Sequence, residues 1–450
     1  MSTSLMNLPL ESRAAIPAIP QWLVVTAAAL LVGTVFLTGE HRWDRSGLKD
    51  YVESAAERAD AAVSGNSARR LAFVALGCCG TLIMLISGQL PALREPMGVL
   101  LFLTAAWTFG SVCWATDLGF TIKRQLLLVL CSSGAVGLAA VLSLRQLAMV
   151  MAAVTVSYLM YGIFAELVQG TFRPWAGGYR FAGTMHPNSQ ASNCGAMALA
   201  ALALLKKPND SAAARRLPFI ASISLPAAVL FGVAMLFLFL TKSRTALAAV
   251  VLVIGLIMAT RQKLGANMVL AGCGLLLICA LSFGLAVTGV GDSVGDAANL
   301  GRDDSQGSFN GRLPIWEICL RRMGDRVAVG MGYDGFWTAA RIEDVSWELG
   351  WPICSAHSEY IELVLGVGLI GLTLHLLCLV AAVLWFWIRY FRLGFGGDAM
   401  MVGLLVVGAI QGFMETSYLH PATPMPFLTL TGMSRLAFFT EHQAAWQTRI

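Results

Sequence analysis

The sequence predicts an all-α integral membrane protein with about 12 transmembrane helices. Of its 450 residues, 57% are hydrophobic and only 13% are charged, which leaves too little polar surface to cover a water-soluble protein. Apolar runs of about 17 to 24 residues recur between short polar segments, and each is long enough to cross a bilayer as a helix. We therefore expect one polytopic membrane domain over residues 1–450.

The predicted spans are distributed along the whole chain. Pro17 and Pro20 precede the first span and no clear cleavage site follows it, which favours a retained anchor over a signal peptide. The twelve apolar runs lie near 22–38, 71–88, 97–116, 125–142, 147–168, 189–205, 217–240, 245–260, 265–288, 358–388, 398–416 and 423–439.

Basic residues in short loops predict the orientation, because loops rich in Lys and Arg resist translocation. The informative groups are Lys206, Lys207, Arg215 and Arg216; Arg261 and Lys263; and Arg389 and Arg392. Placing them in the cytoplasm leaves 169–188 and 289–357 on the outer face. The same rule puts 40–70 outside although it carries six basic and six acidic residues, so its topology stays open.

Charge and motif content exclude several function classes. The net charge of +5 is spread over the loops rather than gathered into one stripe, which gives nucleic-acid binding no support. The sequence has no CxxC, HExxH, P-loop or DxD pattern, so we expect neither a metal nor another cofactor. Cys319 and Cys354 share the long outer loop, and whether they pair stays open.

The outer loop 289–357 begins with Gly, Asp and Ser residues that are typical of turns. The segment LPIWEICLRRMGD then repeats apolar residues at helical spacing, which predicts a short amphipathic helix on the membrane surface. In the following GMGYDGFW, Gly330, Gly332 and Gly335 suit a tight turn that brings the backbone close to another element. An ordinary re-entry loop is the alternative.

The first candidate site is YRFAGTMHPNSQASN, residues 179–193, which joins an outer loop to the start of a span. Pro187 fits a helix start, and Asn188 or Ser189 is expected to cap that helix. Arg180 beside an outward helix N-terminus would form an anion site suited to phosphate, with His186 also nearby. A capped helix beside a solvated arginine is the alternative.

Two further segments place charged or titratable groups at predicted helix starts. In TKSRTALAA, residues 241–249, Arg244 opens a span where it opposes the helix dipole, so either an anionic partner or snorkelling to the interface is expected. In SAHSEYIELV, residues 355–364, His357 heads a span and is either a general base or a polar cap. Glu415 is a reserve candidate because acids are rare near spans, whereas His375 and His420 are read as structural.

Taken in order, RFAGTMHPNSQA, TKSRTALA, NGRLPIWEICL, GMGYDGFW and AHSEYIELVLGVGLIGL resemble the O-antigen ligase and polymerase family of bacterial envelope polysaccharide assembly. AWTFGSVCWATDLGFTIKR, residues 106–124, also resembles the family's third span and following loop. The resemblance covers roughly residues 100–430. Ser358 follows the histidine where many members have Asn, which puts the acceptor side in doubt.

The resemblance implies a GT-C-like membrane glycosyltransferase of the inner membrane with its active site facing the periplasm. Such an enzyme moves a glycan from undecaprenyl diphosphate to a hydroxyl of lipid A core or of a growing polysaccharide, including lipopolysaccharide and exopolysaccharide. Matching by motif implies Arg180, Arg244 and His357 as catalytic residues of an inverting, metal-independent reaction. The residues expected to bind substrate are His186, Asn188, Ser243, Arg312, Arg321, Arg322 and Tyr360.

A multispan transporter or flippase for a lipid-linked saccharide is the competing interpretation, since a dozen helices with few buried charges suit that class too. Transporters often contain internal repeats and charged sites at the middle of the membrane. We identify neither clearly in this sequence, and the candidate residues gather at one face. The motifs do not separate ligases from polymerases or from enzymes that glycosylate proteins.

Overall fold

A computed structural model describes residues 20–41, 67–93, 95–176, 178–205, 224–261, 312–416 and 421–439. Within these ranges the chain forms helices and turns without strands. The α-helices are α1 Gln21–Glu40, α2 Ser67–Ser87, α3 Pro96–Gly110, α4 Leu118–Val141, α5 Leu144–Val168, α6 Pro187–Leu204, α7 Leu225–Leu240, α8 Arg244–Arg261, α9 Arg312–Met323, α10 Ala339–Leu349, α11 Glu359–Leu393, α12 Gly396–Gln411 and α13 Pro424–Phe438.

Eleven of the twelve predicted spans fall on these helices, and the run 265–288 lies outside the described residues. In the described part of the chain, six helices are long and apolar enough to cross a membrane, namely α1 to α5 and α11. Three further apolar helices, α7, α8 and α12, are shorter. The prediction of an all-helical, multi-pass membrane protein is confirmed at this level.

Local sequence explains where several helices begin and how closely they pack. Asp117 caps α4 by accepting the Phe120 N–H at 2.9 Å, and Ser143 and Gln146 form a reciprocal capping box at the start of α5. Helices α2 and α4 meet at glycines, where a Cβ on Gly137 would lie 2.5 Å from the Gly80 Cα. Small residues permit such close backbone approach inside membranes.

The helices alternate in direction, so one end of the bundle collects the segments 169–176, 178–186, 241–243, 324–358, 412–416 and 421–423. We call this the site end. Hydrogen bonds join its segments directly, since Phe181 N–H donates to the Leu240 carbonyl at 2.9 Å and Glu359 N–H donates to the Gly412 carbonyl at 2.8 Å.

The predicted amphipathic helix is present as α9, and a second helix, α10, packs beside it. Buried apolar residues of both, including Ile315, Cys319, Ile342 and Val345, form a hydrophobic core separate from that of the bundle. Ion pairs tie the two helices together at their surface. They join Arg321 to Glu348 and Arg322 to both Asp344 and Glu348.

The glycine-rich motif forms a turn that packs against a break in α11. Gly368 interrupts that helix with φ 72° and ψ −177°. The break frees carbonyl groups, and the Leu365 carbonyl accepts the Met331 N–H at 2.9 Å while the Val367 carbonyl accepts the Trp107 indole N–H at 2.9 Å. A Cβ on Gly330 would lie 2.4 Å from the Gly366 carbonyl oxygen. The predicted tight turn with close backbone approach is therefore confirmed.

Candidate functional site

A buried carboxylate organises the loop that carries Arg180. Glu166 lies in the last turn of α5 and is 3% exposed. One of its oxygens accepts the N–H groups of Ala182 and Gly183 at 3.1 and 2.7 Å, and the other accepts the hydroxyl of Tyr179. Three donors from one short segment thus converge on a single side chain and fix the backbone on both sides of Arg180.

Arg180 itself bridges two other segments of the site end. Its Nε donates to the Thr241 carbonyl at 3.1 Å, and its Nη2 donates to Asn188 Oδ1 at 3.3 Å. Thr241 is fully buried and lies three residues before Arg244. The RFAG and TKSRT motifs, distant along the chain, therefore meet in space.

The start of α6 differs from the sequence expectation. The helix begins at Pro187 and its cap is His186, whose Nδ1 accepts the Asn188 N–H at 3.2 Å. The prediction that Asn188 or Ser189 caps this helix is wrong, because proline fits the first helical position and so makes the residue before it, His186, the cap. Asn188 is thereby released to use its side chain elsewhere.

Arg244 is the first residue of α8, as expected. The preceding turn is tight, with Lys242 at φ 51° and the Ser243 N–H donating to Thr241 Oγ1 at 3.3 Å. This first helical residue lies at the site end of the bundle, three residues after Thr241, whose carbonyl accepts from Arg180.

His357 lies two residues before α11, whose cap is Ser358. Its loop is held from below by Glu362, which accepts the Ala356 N–H at 2.6 Å and the Trp337 indole N–H at 2.9 Å. The Trp316 indole of α9 donates to the Ala356 carbonyl at 2.8 Å. The backbone at Ala356, directly before His357, is thus fixed by contacts from both α11 and α9.

Glu415 is the junction between these segments. Its Oε1 accepts Asn188 Nδ2 at 2.6 Å and Arg312 Nη2 at 3.3 Å. Its backbone carbonyl accepts the Glu359 N–H at 3.2 Å, two residues after His357. A continuous path of contacts therefore runs from Arg180 through Asn188 and Glu415 to Arg312, and from Glu415 to the start of α11.

Backbone strain marks the same motifs. Among the described residues, the non-glycine residues with positive φ are Lys242, Asp334 and His357, at 51°, 55° and 50°. They fall one each in the TKSRT, GMGYDGFW and SAHSEY motifs. Such conformations are uncommon outside glycine and gather at functional sites where the surroundings enforce them.

Burial perturbs several ionisable groups of the site end. It raises the pKa of Glu415, while the Arg312 guanidinium and the Asn188 amide oppose this shift. It lowers the pKa of Arg312, which the Glu415 carboxylate opposes. Burial and the hydrogen bond to Glu166 raise the pKa of Tyr179. Burial also lowers the pKa of His41, whose Nδ1 lies 2.6 Å from Thr184 Oγ1, to about 4.

The structure brings some of the predicted substrate-binding residues together and engages others elsewhere. Asn188 and Arg312 join Arg180, whereas Arg321 and Arg322 pair with acids of α10. Tyr360 donates its hydroxyl to the Ala409 carbonyl at 2.7 Å. His186 serves as a helix cap and Ser243 is 9% exposed. Cys319 and Cys354 are not joined by a disulfide.

Sequence reasoning missed Glu166 and gave Glu415 only a reserve place. Glu166 lies near the end of the apolar run 147–168. A lone acid in such a run is the signal in the sequence that buried hydrogen-bond donors surround it. Within the described ranges, no group of three or more His, Cys, Asp or Glu residues is arranged to hold a metal ion.

Comparison with known proteins supports the motif-based resemblance. The family model described as O-antigen ligase matches residues 226–376. This segment contains Arg244, Arg312 and His357, whereas Arg180 and Glu415 lie outside it. No curated protein matches the chain significantly.

Proposed function

We propose that this protein, a member of the O-antigen ligase and polymerase family, transfers a glycan from undecaprenyl diphosphate to an acceptor hydroxyl at the periplasmic face of the inner membrane. The family match over residues 226–376 and the apolar helices support a multi-pass membrane protein of a glycosyl-transferring family. The donor, the acceptor and the face are our proposal. One observation carries it: Arg180 and Arg312 converge through Asn188 and Glu415 beside the segment that bears His357.

The arginines suit a diphosphate leaving group. Guanidinium is planar and always charged, and it binds phosphate oxygens through two parallel N–H groups. Arg180 and Arg312 are held on either side of the Asn188–Glu415 pair, and Arg244 opens the nearby helix α8, so three guanidinium groups are gathered at the site end. In a site of low dielectric this charge stabilises the negative charge that grows on the departing diphosphate.

His357 suits the role of general base. In the proposed step its imidazole accepts the proton of the acceptor hydroxyl while that oxygen forms a bond to the anomeric carbon. The bond from the anomeric carbon to the diphosphate breaks, and its electron pair leaves with the lipid diphosphate. Attack opposite the leaving group inverts the anomeric centre. The φ of 50° at His357 indicates that the surroundings impose the position of this residue.

The distribution of basic residues supports the proposed face. Arg261, Arg389 and Arg392 lie near the ends of α8 and α11 that are opposite the site end. Helix α6 also ends at that side, at Leu204, shortly before Lys206 and Lys207 in the sequence. By the positive-inside rule that opposite end faces the cytoplasm. The site end then faces the periplasm, where acceptor glycans are found.

Reconstitution of the purified full-length protein with a lipid-diphosphate glycan and an acceptor tests the proposal. We expect Arg180→Ala and His357→Asn each to lower transfer by at least about 100-fold, since each removes a group that acts in the transition state. Asn accepts left-handed backbone angles, so His357→Asn keeps the local fold. Arg326→Ala, which removes an exposed guanidinium from the same end, is the control.

Two results would contradict the proposal. Transfer at the wild-type rate by His357→Asn would show that His357 is not the general base. Movement of the lipid-linked glycan across the vesicle membrane, without any covalent product, would indicate a flippase instead.

A further inference from the structure

A small cleft lies directly behind Asn188 and Glu415 and is not used in the mechanism above. It has a volume of about 50 Å³ and is bounded by α5, α6 and the start of α13. Beyond the two shared residues, its polar lining consists of Thr155, Ser189, Ser192, Asn193 and Thr423. Thr155 and Asn193 are 3% and 7% exposed, and hydroxyl and amide groups are costly to bury in a membrane bundle, so a polar lining at this place requires a reason.

The polar lining is held in place by the helices themselves. Asn193 is 7% exposed and its Nδ2 donates to the Thr155 carbonyl at 3.0 Å. The Ser192 hydroxyl lies 2.9 Å from the Asn188 carbonyl and 3.2 Å from Gln411 Oε1. Groups fixed in this way present hydrogen-bonding atoms to a ligand without further loss of side-chain freedom.

The rest of the cleft is apolar, and this restricts what fits. Its remaining lining is made of Met151, Met185, Ala196, Pro424, Met425 and Pro426. A water-sized group occupies roughly 10–15 Å³ of such a volume, so the cleft has room for about four heavy atoms. A carboxylate is disfavoured by the Glu415 side chain at the mouth. The occupant therefore needs an uncharged donor, an acceptor and a methyl group.

We propose that the cleft binds the acetamido group of the sugar joined to the diphosphate. The acetamido group carries an N–H, a carbonyl and a methyl on four heavy atoms, which matches the polar rim and the methionine floor. Asn188 contacts Arg180 and also lines the cleft, so the ligand group must lie next to the phosphate end of the donor. The 2-position of the first sugar meets that requirement. This inference rests on the proposed function.

The test compares two donors that differ only at the 2-position of the first sugar, one with acetamido and one with hydroxyl. Ser192→Val places methyl groups in the cleft and removes its hydroxyl. We expect the ratio of kcat/KM for the acetamido donor over the hydroxyl donor to fall about tenfold, the effect of one lost hydrogen bond with its steric penalty. Thr155→Val, which keeps shape and removes a hydroxyl, should lower the same ratio.

Ser157→Val is the matched control. The Ser157 hydroxyl donates to the carbonyl four residues earlier at 2.8 Å, as Ser192 does at 2.9 Å, but Ser157 is exposed and away from the cleft. The ratio of kcat/KM for the two donors measured with Ser157→Val should equal that of the wild type. An unchanged ratio in both cleft variants, or an equal fall in Ser157→Val, would overturn the inference.

Binding of both donors to the protein in nanodiscs separates this inference from the proposed function. The cleft predicts that the wild type binds the acetamido donor more tightly and that Ser192→Val removes this preference. If the preference is present without any glycan transfer, the cleft assignment stands and the proposed function fails. If transfer occurs with equal binding of the two donors, the cleft assignment fails and the proposed function stands.

Discussion

Replacing Glu166 by leucine should abolish glycan transfer although this residue touches no substrate. Its carboxylate accepts the N–H groups of Ala182 and Gly183 at 3.1 and 2.7 Å, and these residues follow Arg180 in the loop. Leucine fills much of the same space but accepts no hydrogen bond. The loop then either keeps its place with unpaired donors or moves.

The structure allows the size of the effect to be worked out. Each buried donor left unpaired costs about 1–3 kcal/mol, so two of them cost about 2–6 kcal/mol if the loop stays. Movement of the loop is cheaper, but it displaces Arg180, and a shift of about 1 Å at a reacting centre lowers the rate by about 100-fold. Glu166→Gln keeps an acceptor for both N–H groups and should cost only about 1 kcal/mol, or less than tenfold in rate.

The assay is the rate of transfer in proteoliposomes, normalised to correctly inserted protein. Glu317→Leu removes an exposed acid from α9 and should leave the rate unchanged. Wild-type transfer by Glu166→Leu would refute the reasoning. So would equal losses in Glu166→Leu and Glu166→Gln, because the argument depends on hydrogen-bond acceptance rather than on charge.

Three further outcomes follow from the geometry. Arg312→Lys keeps the charge but loses the planar fork, so KM for the donor should rise about tenfold in initial-rate measurements. Gly368→Ala should lower the thermal midpoint in detergent, because Gly368 has φ 72° and its Cβ would lie 2.3 Å from the Ala328 carbonyl oxygen, whereas Gly255→Ala, with open space around it, should not. Burial raises the pKa of Glu415 in the folded protein. The contribution of this group to the free energy of unfolding is therefore full below the pKa of an ordinary carboxyl group, and it is lost as the pH rises through the raised pKa. The fall in thermal midpoint over that interval should be smaller in Glu415→Gln, and an equal fall would contradict the assignment.

The spans and the helix starts could be predicted from the sequence because they depend on local patterns. Apolar length and the position of Arg244 at the start of a helix are properties of a single segment. The turn at Gly330 was also predictable, since glycine is required where backbones touch. In each case a few neighbouring residues decide the outcome.

Contacts between segments were not predictable in the same way. From the sequence, Arg321 and Arg322 resemble phosphate ligands. In the structure they instead form ion pairs with Asp344 and Glu348 of α10. Glu166 is hidden in an apolar run, and its donors are backbone groups that leave no trace in residue type. These pairings depend on the packing of whole helices, which a single sequence does not specify.

A carboxylate at the centre of an anion site needs an explanation, and charge balance supplies one. Without a ligand, Arg180 and Arg312 would be two partly buried cations close together, and both would be costly to desolvate. Glu415 lies against Arg312 at 3.3 Å and reaches Arg180 through Asn188, so it offsets this repulsion and fixes both side chains. Burial already raises the pKa of Glu415, and a diphosphate beside it would raise this pKa further, because a nearby negative charge disfavours ionisation of the carboxyl group. The acid then stabilises the empty site and opposes the filled one only weakly, which suits the proposed transfer, in which the lipid diphosphate must be released after each cycle.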